Sequence, residues 1–464
     1  MTASAMASFY GNRTSALLDA ASKWQRLTML LYLLAGTTVS TGFMVIAWLA
    51  IAAALLVLFS GLFGPGLRYK ISAAKPADNR SDEFLHTLEA LTDSKVHRGT
   101  SFTVHTNGND FYEEELRAMA AAQHSINLEA YIFQKSEIAQ RYVDTMTERA
   151  RAGVQVNIVL DAIGSAATHE KFFTDLRQAG GKIAWYNDST WYKLPQFNHR
   201  THREVLVVDG RVGFIGGAGV ADHWYKARPN KPRWRDTMVR VDGEAVPNLQ
   251  ATFAENWLES CGEVLTGEDY FPQPHAEQGS GEAMVINSTP TAGGSTRARL
   301  LFQMLLASAQ HTIHITTPYF LPDRSMMDEL VRAVKERGVE VVLLVPGKKS
   351  DHMLTRSSSR RAYGRLLEAA ARIYEYQPAM IHAKILLIDG LWGVVGSTNF
   401  DNRSFGLNDE VNLAVRAEDF VERLEHDFER DLANSELITL EKWKHRPVLE
   451  RAPELLGWVL DRQQ

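Results

Sequence analysis

The sequence predicts an α/β protein: two α/β sandwich units related by pseudo-twofold symmetry, preceded by an N-terminal membrane helix. Three observations predict it. A strand, helix, strand pattern occurs twice, each copy leads into a cassette of similar layout, and a long apolar run precedes both. At 464 residues the chain exceeds one average domain and has room for two core units.

The N-terminal element comes first. From Leu27 to Leu67 there is no charged residue, and "FMVIAWLAIAAALLVLFSGLF" (43–63) is almost wholly apolar. About 20 such residues cross a bilayer core as a helix, so residues 1–70 read as a membrane anchor. The shorter stretch "LTMLLYLLAG" (27–36) lies in the interface or makes a second, shallow pass. A cleaved signal peptide would be shorter and begin earlier. Arg13, Lys23 and Arg26 precede the run, while Arg68, Lys70, Lys75 and Arg80 follow it. The positive-inside rule therefore leans slightly towards a cytoplasmic C-terminal body. The polar stretch 71–99 reads as a linker.

Beyond it the chain repeats. "AAQHSINLEAYIF" (121–133) parallels "SAQHTIHITTPYF" (308–320), and each is followed by a helical pattern and a Gly-Val strand. Such units with right-handed crossovers predict largely parallel sheets. The first unit spans 100–265, a polar linker rich in Gly and Pro spans 266–284, and the second unit spans 285–464. Net charge is −5, so there is no basic excess of the kind that binds nucleic acid, and an anion site must be local. The single cysteine, Cys261, excludes an intramolecular disulfide and reads as a small core residue.

The cassettes carry the chemistry. The later one reads "IHAKILLIDGLWGVVGSTN" (381–399) and the earlier "THREVLVVDGRVGFIGGAG" (201–219). In the later copy His382 and Lys384 share one face of a strand. Asp389-Gly390 is a hairpin turn, and the return strand delivers Gly396, Ser397 and Asn399 beside the histidine. Imidazole, ammonium, amide and hydroxyl together suit a phosphate site holding a nucleophile or an acid. One histidine on an apolar strand is ordinarily a satisfied core residue. A second in the same setting, 180 residues earlier (382 − 202), argues for function.

The pattern H-x-K-x4-D-x6-G-S-x-N at His382, Lys384, Asp389, Gly396, Ser397 and Asn399 resembles the HKD motif of the phospholipase D superfamily. "TTPYFLPD" (316–323), "SRRAYGRLLEAAARIYEYQPAMIHAK" (359–384) and "DNRSFGLNDEVNL" (401–413) are similar to the second half of bacterial cardiolipin synthases. "NHRTHR" (198–203) and "WRDTMVRVDG" (234–243) are similar to the first half. The resemblance implies two phospholipase D-like units and a two-step phosphodiester exchange without metal or other cofactor. His202 would attack phosphorus and His382 would serve as acid and base, the reverse assignment remaining open. Lys384, Asn399, Ser397 and Gly217 would hold the phosphate. Asp209 and Asp389 belong to the catalytic motifs as structural partners of the histidines rather than reactants, and Asp236 and Glu410 would fix the histidine tautomers. The implied partners are phosphatidylglycerol-type phospholipids and the membrane, with no nucleic acid. The implied location is a bacterial-type inner membrane with the catalytic body cytoplasmic. The alternatives are a superfamily nuclease or phosphodiesterase, or a catalytically weakened lipid-binding homologue.

The first cassette departs from the family pattern at two positions, Glu204 for Lys and Gly219 for Asn. A carboxylate about 4 Å from a phosphodiester costs about 1–4 kcal/mol, depending on how wet the site is. Three readings follow: Glu204 is protonated by burial, it pairs with Arg203, Arg235 or an imidazolium, or the half-site has lost catalysis. The retention of His202, Asp209, Gly216, Gly217 and Asp236 favours an active, asymmetric pocket. Lesser signals are the pair His199 and His202, which lacks a third zinc ligand nearby. Lys348, Lys349, Arg356, Arg360, Arg361 and Arg365 form a basic segment suited to anionic headgroups or a solvated helix face. Trp191, Tyr192 and Phe197 line an acyl entrance or pack in the core.

Overall fold

The computed structural model describes residues 24–26, 28, 41–63, 69–71, 78–187, 199–229, 231–273, 279, 281–290 and 296–447. It divides into a unit of residues 1–65 and a unit of residues 66–464.

In the first unit, Thr41–Phe63 is a helix of 23 residues with no acidic or basic residue. Among the described residues no helix is long and apolar enough to cross a membrane, so the expected span is not shown. Residues 29–40 lie outside the described set.

The second unit is built on one 16-stranded sheet. Its first half contains β1 (His97–Thr106), β2 (Ser125–Ala130), β3 (Gln155–Asp161), β4 (Lys182–Tyr186), β5 (Arg200–Thr201), β6 (Val205–Val208), β7 (Val212–Gly216) and β8 (Thr237–Gly243). Its second half contains β9 (Gly281–Ser288), β10 (Thr312–Thr316), β12 (Glu340–Pro346), β13 (Arg372–Tyr376), β14 (Ile385–Ile388), β15 (Trp392–Gly396), β17 (Asn408–Arg416) and β18 (Ser435–Ile438). The short strands β11 (Phe320–Leu321) and β16 (Phe400–Asp401) pair separately. The sheet runs β18-β13-β12-β10-β14-β15-β17-β9-β1-β8-β7-β6-β2-β3-β4. Apart from the edge strand β18, this order reads the same from either end once each strand is replaced by its counterpart. The twofold repeat lies between β1 and β9.

The sheet is mixed, which corrects the largely parallel expectation. Its parallel pairs among the described residues are β2-β3-β4, β10-β12-β13 and the short β5 with β17. The Asp-Gly turns make hairpins of β6 with β7 and of β14 with β15, and hairpin strands must be antiparallel. Asp209 and Gly210 have φ of 54° and 61°, and Asp389 and Gly390 have 53° and 64°. These are the left-handed pairs of the turn type that matches strand twist.

Helices cover both faces. Glu137–Arg151 starts at Ser136, whose hydroxyl accepts from the Ala139 N–H, and buries Ile138, Tyr142, Val143 and Met146 at helical spacing. Its counterpart Arg324–Arg337 is capped by Asp323 and ends at Gly338 in the left-handed conformation. A central core joins both halves, with Val205, Ile215 and Val239 packed in one cluster with Leu344, Leu387 and Leu413.

Three further readings change. Asp82–Thr92, inside the stretch read as a linker, is a helix capped by Ser81 that buries Phe84, Leu85 and Leu88. β9 begins at Gly281, within the stretch read as the inter-unit linker. Cys261 is exposed at the end of the helix Val246–Cys261 rather than buried in the core.

Candidate functional site

Two crossings between the halves build the site. β5, immediately before His202, pairs in parallel with the start of β17, and the His202 N–H donates to the Asp409 carbonyl at 2.9 Å. Symmetrically, Arg235 bridges to Ile381, and the His382 N–H donates to the Arg235 carbonyl at 2.7 Å. Each histidine is therefore seated beside the carboxylate-bearing strand of the opposite half.

His202 Nδ1 lies 3.0 Å from the Ser397 carbonyl oxygen and 3.2 Å from Glu410 Oε2. Both neighbours are acceptors, so Nδ1 carries the proton and Nε2 is the free nitrogen. His382 Nδ1 lies 3.0 Å from Asp236 Oδ2. Asp236 and Glu410 thus orient the two rings, each across the repeat. Asp236 is itself fixed by the Trp224 indole N–H at 3.0 Å and the Thr237 N–H at 2.8 Å. Glu410 accepts from the Ser397 hydroxyl and from Asn408 Nδ2 at 3.3 Å.

Lys384 joins the halves a third way. Its Nζ donates to the Gly217 carbonyl at 3.2 Å and lies 2.8 Å and 3.2 Å from the ring nitrogens of His382. Burial pushes the Lys384 ammonium below its ordinary value, opposed by Asp236, Glu410 and Glu204. Burial, then the charge of Lys384, lowers the His382 imidazole, while the bond to Asp236 works the other way. Burial alone would raise Asp236, but the His382 bond and Lys384 hold it below the usual carboxylate range. The Asn399 side-chain oxygen is buried without a hydrogen-bond partner among the described residues. The amide N–H groups of Asn399, not this oxygen, are what could donate to an anionic oxygen.

Some expected residues are placed differently. The Ser397 hydroxyl, expected on the phosphate, donates to Glu410 and accepts the Val411 N–H at 3.0 Å, so it fixes the carboxylate instead. Gly217 supplies a carbonyl to Lys384, and a Cβ there would lie 2.8 Å from Asp236 Oδ1. Asp209, grouped with the catalytic residues, accepts the N–H groups of Gln123, His124 and Ser125 at 2.9, 2.7 and 2.9 Å. Asp389 accepts those of Gln310, His311 and Thr312 at 2.8, 2.7 and 2.8 Å. Both aspartates tie their hairpin to the start of the neighbouring strand, at the opposite end of the hairpin from the histidine.

The variant positions form one unit. Glu204 is buried, and its Oε1 accepts the Tyr131 N–H at 3.2 Å and the Ile132 N–H at 3.5 Å. Burial holds its carboxyl well above the ordinary glutamate range despite Lys384 and these two donors. A Cβ at Gly219 would lie 2.4 Å from the Ile132 carbonyl and 3.0 Å from Glu204 Oε1. The glycine makes room for the carboxyl. Neither guanidinium once considered for Glu204 is engaged with it: Arg203 pairs with Glu255 at 2.7 Å and Arg235 with Asp431 at 2.8 Å.

Trp224, Trp234, Asn408 and Tyr131 were not foreseen at the site. The Trp224 and Trp234 rings lie 5.3 Å and 5.6 Å from the His382 ring, and Tyr131 lies 5.0 Å from His202. Their only sequence signal is proximity to the quoted motifs. In the basic segment, Arg356 and Arg360 converge on Glu375, and Arg365 pairs with Asp328. Trp191, Tyr192 and Phe197 lie outside the described residues.

A family profile described as "Cardiolipin synthase, PLD-like domain" matches residues 116–257 and 302–432, one segment in each half. The chain belongs to the cardiolipin synthase family of phospholipase D-like proteins. Cardiolipin synthase 1 of Bacillus anthracis is 31% identical over 398 residues, covering 84% of this chain and 77% of that protein. The cardiolipin synthase of Geobacillus kaustophilus is 34% identical over 360 residues, covering 76% and 70%. The crystal structure of phosphatidylserine synthase from Haemophilus influenzae Rd KW20 aligns with a TM-score of 0.63 at 14% identity, over 82% of this chain and 98% of that one. At that identity the likeness is one of fold.

Proposed function

We propose that the protein is a membrane-anchored phosphatidyltransferase that makes cardiolipin from phosphatidylglycerol-type lipids. The observation that carries this reading is the reciprocal seating of two histidines, each oriented by the other half's carboxylate. Its family membership supplies the substrate class.

In the first step His202 Nε2 attacks the donor phosphorus. The N–P bond forms, the bond from phosphorus to the glycerol oxygen breaks, and His382 gives its proton to that oxygen. In the second step the acceptor hydroxyl loses its proton to His382, its oxygen attacks phosphorus, and the N–P bond breaks. Glycerol and cardiolipin are released in equal amounts. Lys384 and Asn399 stabilise the oxygens that gain charge. An arriving phosphodiester adds an anion beside Lys384 and so raises His382 towards the range where it carries the proton. Water in place of the acceptor gives slow hydrolysis.

The helix Thr41–Phe63 serves as the anchor in a bacterial inner membrane, with the catalytic body cytoplasmic. Its exposed Ile46, Trp48, Leu49, Ile51 and Leu56 support that reading, because an apolar surface of this kind calls for lipid. The test is full-length protein in phosphatidylglycerol vesicles. Wild type is expected to release glycerol and cardiolipin in equal amounts, and His202→Ala neither. Unchanged lipid together with cleavage of added DNA would overturn the assignment.

A further inference from the structure

A cavity of about 450 Å³ opens next to the acid–base histidine. Trp234 and His223 form one wall; Trp234 packs on the His382 ring, and His223 packs on Trp224 and Trp234, the former also against His382. Met380, two residues before His382, lies on the same wall. Lys135, Lys226, Arg228, Lys231 and Lys349 line the remainder, against Asp222 as the acidic lining residue. Lys226 is paired with Glu137 and Arg228 with Asp222. Lys135, Lys231 and Lys349 have no carboxylate partner among the described residues, so the cavity keeps a net positive charge. His223 Nε2 is buried there without a hydrogen-bond partner. Burial pushes that imidazole down to about 4, which leaves it neutral and able to donate or accept.

We infer that this cavity is a second phosphate subsite, which holds the non-reacting phosphodiester of the acceptor phospholipid while its terminal hydroxyl reaches His382. The inference rests on the phosphatidyltransferase reading above. The product of that reaction carries two phosphodiesters joined by one three-carbon bridge. When one phosphorus is bound to His202, the other must sit a glycerol length away, on the side of the histidine that deprotonates the acceptor. The basic cavity lies behind Trp234, which packs on that histidine. A neutral alcohol brings no second phosphate and gains nothing from the lysines, so the subsite would favour an anionic acceptor over water and simple alcohols.

The test is a partition experiment on full-length protein in phosphatidylglycerol vesicles containing ethanol. Cardiolipin and phosphatidylethanol then form from the same covalent intermediate, so their ratio reports the acceptor step alone. The doubly substituted Lys135→Glu, Lys231→Glu protein is expected to lower that ratio at least tenfold. The neutral Lys135→Gln, Lys231→Gln protein should lower it by a smaller factor, and added salt should lower it in wild type. Both lysines are exposed, so neither change disturbs the core. A ratio unchanged in both variants, with or without a common fall in the two products, would overturn the subsite; a common fall would mark the lysines as a membrane-docking patch. If wild type forms neither product, the phosphatidyltransferase reading itself fails.

Discussion

The two cassettes occupy equivalent places in the sheet, yet they solve the same electrostatic problem differently. In the second half Lys384 is a buried cation reaching across to the Gly217 carbonyl. In the first half the equivalent Glu204 is a buried acid, its carboxyl pushed well above the ordinary range and held by the N–H groups of Tyr131 and Ile132. The counterpart of Tyr131 is Pro318, which has no N–H to offer. The counterpart of Gly219 is Asn399, whose side chain would collide with the Ile132 carbonyl if placed in the first half. Glu204, Gly219 and the donors at the end of β2 therefore form one fitted set. The first half has lost its cation without losing its histidine, its tautomer-fixing partner or its turn.

The largest expected effect breaks the symmetry of the histidines. His382→Ala should lower turnover by about 10²–10⁴-fold, and His202→Ala should abolish it, as read by cardiolipin formation. Full activity in His202→Ala would mean that the first half is a relic. Next, Asp236→Asn should cut turnover about tenfold at neutral pH. The Asp236 carboxylate raises the His382 imidazole, so its loss lowers it. His382 must carry a proton to release glycerol, so the alkaline limb of the pH–rate profile should move to lower pH. A limb that stays in place would sever this pairing.

A smaller effect sharpens the coupling of the variant positions. Gly219→Asn, which restores the family residue, should destabilise the protein by about 1–3 kcal/mol through overpacking against Ile132, as measured by denaturant unfolding. An unchanged midpoint would show that Glu204 and Gly219 are independent. The smallest is a pH signature. Burial raises the Glu204 carboxyl in the folded protein above its unfolded value of about 4.5, so it withdraws stability as pH rises above that value towards its folded pKa. Glu204→Gln removes that penalty. Its melting temperature should exceed that of wild type by a margin that grows with pH over this range, and a constant margin would place a charge on the folded carboxyl.

Much of this was legible in residue order. The two cassettes, their turns and the spacing to Asp236 and Glu410 are local patterns, and local patterns survive translation into sequence. The reciprocal crossing was not legible, because Asp236 lies 34 residues after His202 (236 − 202) yet serves His382. Nothing in a one-dimensional repeat says which copy a carboxylate will face. The antiparallel majority of the sheet was missed by weighting the crossover helices above the two Asp-Gly hairpins. Ser397 was read from its hydroxyl alone, whereas the fold gives that hydroxyl to Glu410. Protonation of Glu204 stood as one of three readings, and only burial and the positions of Arg203 and Arg235 decide among them.

Covalent trapping tests the central claim most directly. A phosphatidyl donor with a p-nitrophenolate leaving group needs no proton from His382, so His382→Ala should accumulate a phosphatidyl adduct on the peptide containing His202, detected by mass spectrometry. His202→Ala should form none. An adduct on His382 in His202→Ala, with none on His202 in His382→Ala, would contradict the assignment of the two rings.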